Sequence, residues 1–134
     1  MEFSTTSPIW VQLVAEFSRR IVVGEWLPGS RVPGVREIAA EVGVNPNTAQ
    51  RALAELERAG LARSERTSGR FITDDLDRID ALRADLARDA TDDYISRVRG
   101  LGMHLAQAAD IIQQRWDDAN VHSDHTPHTR TGGQ

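Results

Sequence analysis

Between Asn45 and Arg51 the chain reads N-P-N-T-A-Q-R, so that Asn45, Asn47, Thr48, Gln50 and Arg51 bring amide, hydroxyl and guanidinium groups close together. The chemistry these groups share is directional hydrogen bonding. An Asn or Gln amide matches N6 and N7 of adenine as a bidentate pair, a guanidinium matches guanine or a phosphate, and a Thr methyl fits against thymine. Gathered in the first turn of a helix, they are what a helix end needs in order to read a major groove. An amphipathic surface helix with a solvated first turn would carry the same residues, so the neighbouring elements have to decide.

The limits of that helix are marked on both sides. Asn45 can cap it through its side-chain oxygen, Pro46 takes the first helical position, where a missing N–H costs nothing, and Gly60 can close the far end. Ala49, Ala52, Leu53, Leu56 and Ala59 recur at helical spacing and define an inward face. Ahead of it, Val35 to Val42 reads as a short helix with Ile38, Ala39 and Val42 inward and Gly43 as its stop. Only Gly43, Val44 and Asn45 separate the two, which is the turn of a helix-turn-helix unit; Arg36 would then face the sugar-phosphate backbone or a base edge. Upstream, Ser7-Pro8 reads as cap and first position of a helix over 8–23, with Ile9, Leu13, Phe17 and Ile21 on one face, and Trp26, Leu27 and Val32 then plug the core. Downstream, L-A-R-S-E, R-T-S-G and R-F-I-T read as two short strands around a turn in which Gly69 takes positive φ. Arg66 and Arg70 flank the tip of this hairpin, placed to enter a minor groove or to hold phosphates.

The chain of 134 residues has room for one compact domain and an appendage. Its net charge of -4 argues by itself against nucleic acid, because non-specific affinity comes from neutralising phosphates. The average conceals a division: residues 1–73 carry 9 Arg and 8 Glu, residues 74–134 carry 7 Arg and 12 Asp, and 45–73 holds 5 Arg against 3 Glu. A head of residues 1–73 is therefore expected, with a boundary near Asp74. All 16 basic residues are Arg, and neither Lys nor Cys is present, which removes Schiff-base, lysine-nucleophile, disulfide and thiolate-metal chemistry. With no Gly-rich phosphate loop either, neither enzymatic activity nor a cofactor is expected. The N-terminal M-E-F-S-T-T-S-P lacks a basic segment followed by an apolar run, and no apolar run approaches the roughly 20 residues that span a bilayer, so a cytoplasmic protein away from membranes is expected.

Residues 74–118 read as two helices. Leu76, Ile79, Leu82, Leu86, Ala90, Tyr94 and Val98 keep helical spacing up to a break at Gly100-Leu101-Gly102, and Leu105, Ala108, Ala109, Ile112 and Trp116 line a second helix at about 103–117. Two such helices form too thin a layer to bury both stripes, so these apolar positions are expected to meet a second copy in a dimer. A small-molecule effector in a cleft near Tyr94, Met103, His104 and Trp116 is the competing use of the same face. Residues 119–134 lack apolar periodicity and are expected to be a disordered tail. His122, His125 and His128 stand three apart beside Asp124, but Pro127 opposes the helix that would align them, and no metal site is assigned.

Residues 8–72 resemble the winged-helix DNA-binding domain of the GntR family of bacterial transcription regulators. The resemblance rests on S-P-I-W-V-Q-L, on G-E-W-L-P-G-S-R-V-P with V-R-E-I-A, on the run V-N-P-N-T-A-Q-R-A-L-A-E-L-E-R-A-G-L, and on S-G-R-F-I; V-N-P-N-T is similar to the YtrA-like branch. Gly34 stands where the family usually has a capping Ser, and S-G-R-F replaces the glycine-x-glycine-aromatic wing. The resemblance implies a mainly α fold with a small β-hairpin, a winged helix-turn-helix head followed by a two-helix dimerisation appendage. It implies DNA contacts at Arg36, Asn45, Asn47, Thr48, Gln50, Arg51 and the wing around Gly69, and control of neighbouring transport genes. Together the two lines of reading give a homodimer on double-stranded DNA that reads an inverted repeat and represses by occluding a promoter. A winged helix used for protein contact is the alternative, and the amide-rich first turn argues against it.

Overall fold

The computed structural model describes residues 1–124, with side chains through residue 119. Its elements are α1 (Ile9–Val22), α2 (Val35–Val42), α3 (Pro46–Arg58), β1 (Ala62–Glu65), β2 (Gly69–Ile72), α4 (Leu76–Gly100) and α5 (Leu105–Asp124). The chain divides into one compact unit, Met1–Ala87, and a second that begins at Arg88. No described helix is long and apolar enough to cross a membrane.

In the first unit the apolar faces of α1, α2 and α3 close on one core. Leu13, Phe17 and Ile21 meet Ile38, Ala39 and Val42 and the buried stripe Ala49, Ala52, Leu53 and Leu56. Trp26 lies against Phe17 with ring centroids 5.0 Å apart. Three local expectations need correcting. Leu27 is 60% exposed, so Trp26 and Val32 plug the core without it. Ala59 is exposed because α3 has already ended there, its N–H turned back to the Glu55 carbonyl. Pro8, not Ser7, stands at the cap of α1 with an extended backbone and no side-chain cap bond. The Gln12 side chain ties this segment down instead, donating to the carbonyls of Ser4 at 2.9 Å and Ser7 at 2.8 Å.

The tight α2–α3 turn follows from its residues. Gly43 adopts φ 80°, which lets its own N–H and that of Val44 both return to the Ala39 carbonyl. Asn45 Oδ1 then accepts from the Asn47 N–H at 2.8 Å and starts α3. β1 and β2 pair antiparallel, from Ala62 opposite Ile72 to Glu65 opposite Gly69. An extra edge escaped the sequence reading: the Val32 N–H donates to the Arg70 carbonyl at 2.8 Å and the Ile72 N–H to the Ser30 carbonyl at 2.9 Å, so Ser30–Val32 lies along the other side of β2.

The boundary expected near Asp74 moves to Ala87, because the first turns of α4 belong to the head. Ile79 and Leu82 are buried in the head core and Leu86 packs against it, which corrects their assignment to a dimer seam. Two arginines of α4 also satisfy carbonyls at helix ends: Arg78 Nε donates to Ala59 and Arg83 to Val22, each at 2.9 Å. At the other end of the chain α5 runs to Asp124, so residues 119–124 are helical where a disordered tail was expected. His125, His128 and the His122 side chain lie outside the described set.

One charge cluster ties α1 to α2. Glu16 accepts from Arg19 and Arg20, each at 2.9 Å, and Arg20 also reaches Glu41 at 2.8 Å with its guanidinium 5.5 Å from the Trp26 ring. The hydrogen bond from Arg19 is the main reason why the Glu16 carboxyl is held down at about 2, with Arg20 adding to it against the cost of partial burial. A carboxylate whose pKa is depressed on folding adds stability above its unfolded pKa and loses it as the pH falls through the folded one. Glu16→Gln is therefore expected to destabilise the protein by about 1–2 kcal/mol at neutral pH. In urea titrations at a series of pH values the gap to wild type should close between the ordinary value of 4.5 and about 2; a gap independent of pH would show that the charge is not responsible.

Candidate nucleic-acid interface

Burial of Ala49, Ala52, Leu53 and Leu56 fixes the rotation of α3, and the opposite side of its first turns faces outward. Asn47, Gln50 and Arg51 are exposed there and Thr48 is half-buried, while Arg36 is exposed at the start of α2. Asn45 is exposed as well, but its Oδ1 is committed to the cap, so its amide N–H groups are what it can offer. Arg51 has a support that the sequence reading missed: its guanidinium carbon lies 4.0 Å from the centroid of the Trp10 ring on α1. Trp10 lies one position beyond the Ile9, Leu13, Phe17 and Ile21 row, four residues before Val14, and its spacing names no partner; the packing of α1 on α3 brings the two together.

The hairpin converges on the same place. Gln50 and Val35 share a shallow groove of about 450 Å³ with Ser64, Arg66, Thr67 and Gly69 of the wing. Arg66 is exposed at the tip. Arg70, expected beside it, also lines the groove but is half-buried and tied to α3: its Nε donates at 2.6 Å to Glu57, a carboxylate that also accepts from the Ser64 hydroxyl. Those two bonds, the one from Ser64 first, lower the pKa of Glu57 against the cost of partial burial, so it remains an anion matched to Arg70. Strand alternation explains this placement, because Arg70 shares a face with the fully buried Ile72.

The second unit presents a different surface. The later turns of α4 and the start of α5 enclose an apolar groove of about 410 Å³ whose lining includes Tyr94, Val98, Met103, His104, Leu105 and Ile112. Trp116 is not part of that lining and is 67% exposed. Leu101, in the break between the helices, and Leu105 are 78% and 83% exposed; Leu76, expected with Leu105 in the contact between copies, lies instead in the first unit, exposed on the first turn of α4. Among the described residues no group of three His, Asp or Glu side chains is placed to hold a metal ion.

A helix-turn-helix whose second helix offers amides outward, beside a hairpin with an arginine at its tip, is the winged-helix head of a DNA-binding transcription regulator. The bacterial regulatory proteins of the gntR family match residues 11–72. The HTH-type transcriptional regulator YhcF of Bacillus subtilis, itself uncharacterized, is 35% identical over 102 residues, 76% of this chain and 84% of its own. The HTH-type transcriptional repressor YtrA of the same organism is 34% identical over 70 residues, 52% of this chain and 54% of its own. A GntR family transcriptional regulator from Listeria monocytogenes has the same fold with a TM-score of 0.77 and 34% identity, over 84% of this chain and 98% of that one. The chain belongs to the GntR family, a family of transcription regulators and not of enzymes.

Proposed function

We propose that the protein is a homodimeric, cytoplasmic regulator that reads an inverted-repeat operator and represses by occupying a promoter. The observation that carries this reading is the groove shared by Gln50 of α3 and by Arg66 and Gly69 of the wing. A helix laid in a major groove then brings the hairpin to the adjacent minor groove. Asn47, Thr48 and Gln50 read base edges, Asn45 assists through its amide N–H groups, and Arg36, Arg51 and Arg66 hold phosphates. The second unit supplies the contact between copies through Leu105, Ile112 and Trp116, all exposed in the single chain. The YtrA relative is a transcriptional repressor, which favours repression over activation.

Selection of bound sequences from a random duplex pool tests the reading. An enriched inverted repeat is expected; a pool that stays random would remove sequence-specific recognition by the protein on its own. Trp10 adds a second measurement. Trp10→Leu is expected to weaken operator binding about two- to fivefold, the scale of an exposed cation–π contact. The same substitution should have little effect when Arg51 is already Gln, and an equal loss in both backgrounds would mean that Trp10 acts on the fold and not through Arg51.

A small apolar effector is a second occupant that the groove of about 410 Å³ has room for. A compound that raises the unfolding temperature and leaves the dimer intact would favour that use of the site.

A further inference from the structure

On the outer face of the wing stands a cation that comes from outside the hairpin, Arg31. Alternation along β2 sorts the side chains into two sets: Arg70 and Ile72 face inward, whereas Phe71 lies on the opposite face with its pairing partner Arg63 and, across the other edge, Arg31. Arg70 is held by Glu57. Arg63 is shared between Glu65 at 3.2 Å and Asp74 at 3.5 Å, and its guanidinium carbon lies 5.7 Å from the Phe71 ring. Arg31 is exposed and forms no ion pair among the described residues.

Its position is built. A Cβ placed on Gly69 would lie 2.8 Å from Arg31 Nε and 3.1 Å from one of its terminal nitrogens, so the guanidinium occupies the space that the glycine leaves open. Gly69 also holds φ 108°, a backbone conformation that other residues rarely adopt, and its two properties serve one arrangement: a sharp return of the strand and a platform for a cation beside it.

We propose that Arg31 is a DNA-phosphate contact of the wing, in the place that the sequence suggests for Arg70. This rests on the reading of the protein as a DNA-binding regulator. A minor groove is only about 6 Å wide, so a hairpin lying over it has a phosphate strand on each flank. Arg66 at the tip holds one phosphate strand and Arg31 serves the flank on the outer face, while Arg70 is engaged by Glu57. The contact carries no sequence information, because every phosphate is alike.

The test is duplex binding by the full chain as a function of salt, with Arg31→Gln against wild type and Arg58→Gln as a matched loss of charge at the far end of α3. Each phosphate contact contributes about 0.9 to the slope of log K against log salt, so Arg31→Gln should bind more weakly at low salt, and the advantage of wild type should shrink about threefold between roughly 50 and 200 mM. That loss should be equal on operator and random duplexes, with an unfolding temperature like that of wild type. Arg58→Gln should leave the slope unchanged. A wild-type slope retained by Arg31→Gln would overturn the assignment, as would a loss confined to the operator. Failure of wild type to bind any duplex is a distinct outcome that removes the DNA-binding reading and this contact with it.

Discussion

The Asn47→Ala/Gln50→Ala protein is expected to hold DNA without choosing among sequences. Both side chains are exposed and neither belongs to the head core, so the double variant should unfold within about 0.5 kcal/mol of wild type. A bidentate amide–adenine pair discriminates against the wrong base by about 1–3 kcal/mol, and losing it relaxes preference at that base pair by roughly 5- to 150-fold. Affinity for random duplex should fall far less, since Arg36, Arg51 and Arg66 remain to neutralise phosphates. In practice the sequences selected by the double variant should lose information at one or two positions in each half of the proposed repeat and keep the spacing between halves, which the proposed dimer would set. Asn45 is left out of the variant on purpose, because removing its Oδ1 would uncap α3 and mix a folding defect with a reading defect. An unchanged selected motif would mean that specificity is carried elsewhere, by the wing or by the shape of the DNA.

Which parts of this interface the sequence could disclose depends on how local the determining physics is. The limits of α2 and α3 are written in single residues, Gly43, Asn45 and Pro46, whose backbone preferences act on their own neighbours, and the structure follows them closely. The hairpin is similar, with Gly69 returning the strand at positive φ. Placement of side chains between elements is another matter. The inward turn of Arg70 could have been inferred from its parity with Ile72, but only once Ile72 was known to be buried, and its partner Glu57 lies thirteen residues away on α3. The Ser30–Val32 edge carries no strand pattern, being three residues next to Pro33, so Arg31 gave no sign of its place beside Gly69.

The long apolar stripe of α4 illustrates a different limit. Helical spacing from Leu76 to Val98 identifies a helix with one apolar side, and that much is observed. Periodicity says nothing about what the side meets, and the identity of the neighbour changes along the element: Ile79 and Leu82 serve the head core, whereas Tyr94 and Val98 line the groove of the second unit. Arg78 and Arg83, capping the ends of α3 and α1, are the residues that commit the early turns to the head, and long-range capping by arginine has no signature in spacing.

Leu105→Glu/Ile112→Glu is expected to give a folded monomer that has lost most of its operator affinity. Leu105 is 83% exposed and Ile112 is 45% exposed in the single chain, so the new carboxylates cost little there. Set in an apolar interface they would have to be desolvated without partners, at several kcal/mol, which is enough to separate two copies. Sedimentation should then report one chain where wild type reports two. The effect on DNA follows from linkage and not from contact, since neither residue belongs to the head. Joining two heads raises the affinity of either by about 10²- to 10⁴-fold through the effective concentration of the second, and the monomer should forfeit that factor on the full repeat. On a duplex carrying a single half-site, variant and wild type should differ by far less, which separates loss of pairing from damage to the head. A variant that remains dimeric with full operator affinity would place the contact between copies elsewhere and leave the groove of the second unit to a smaller occupant.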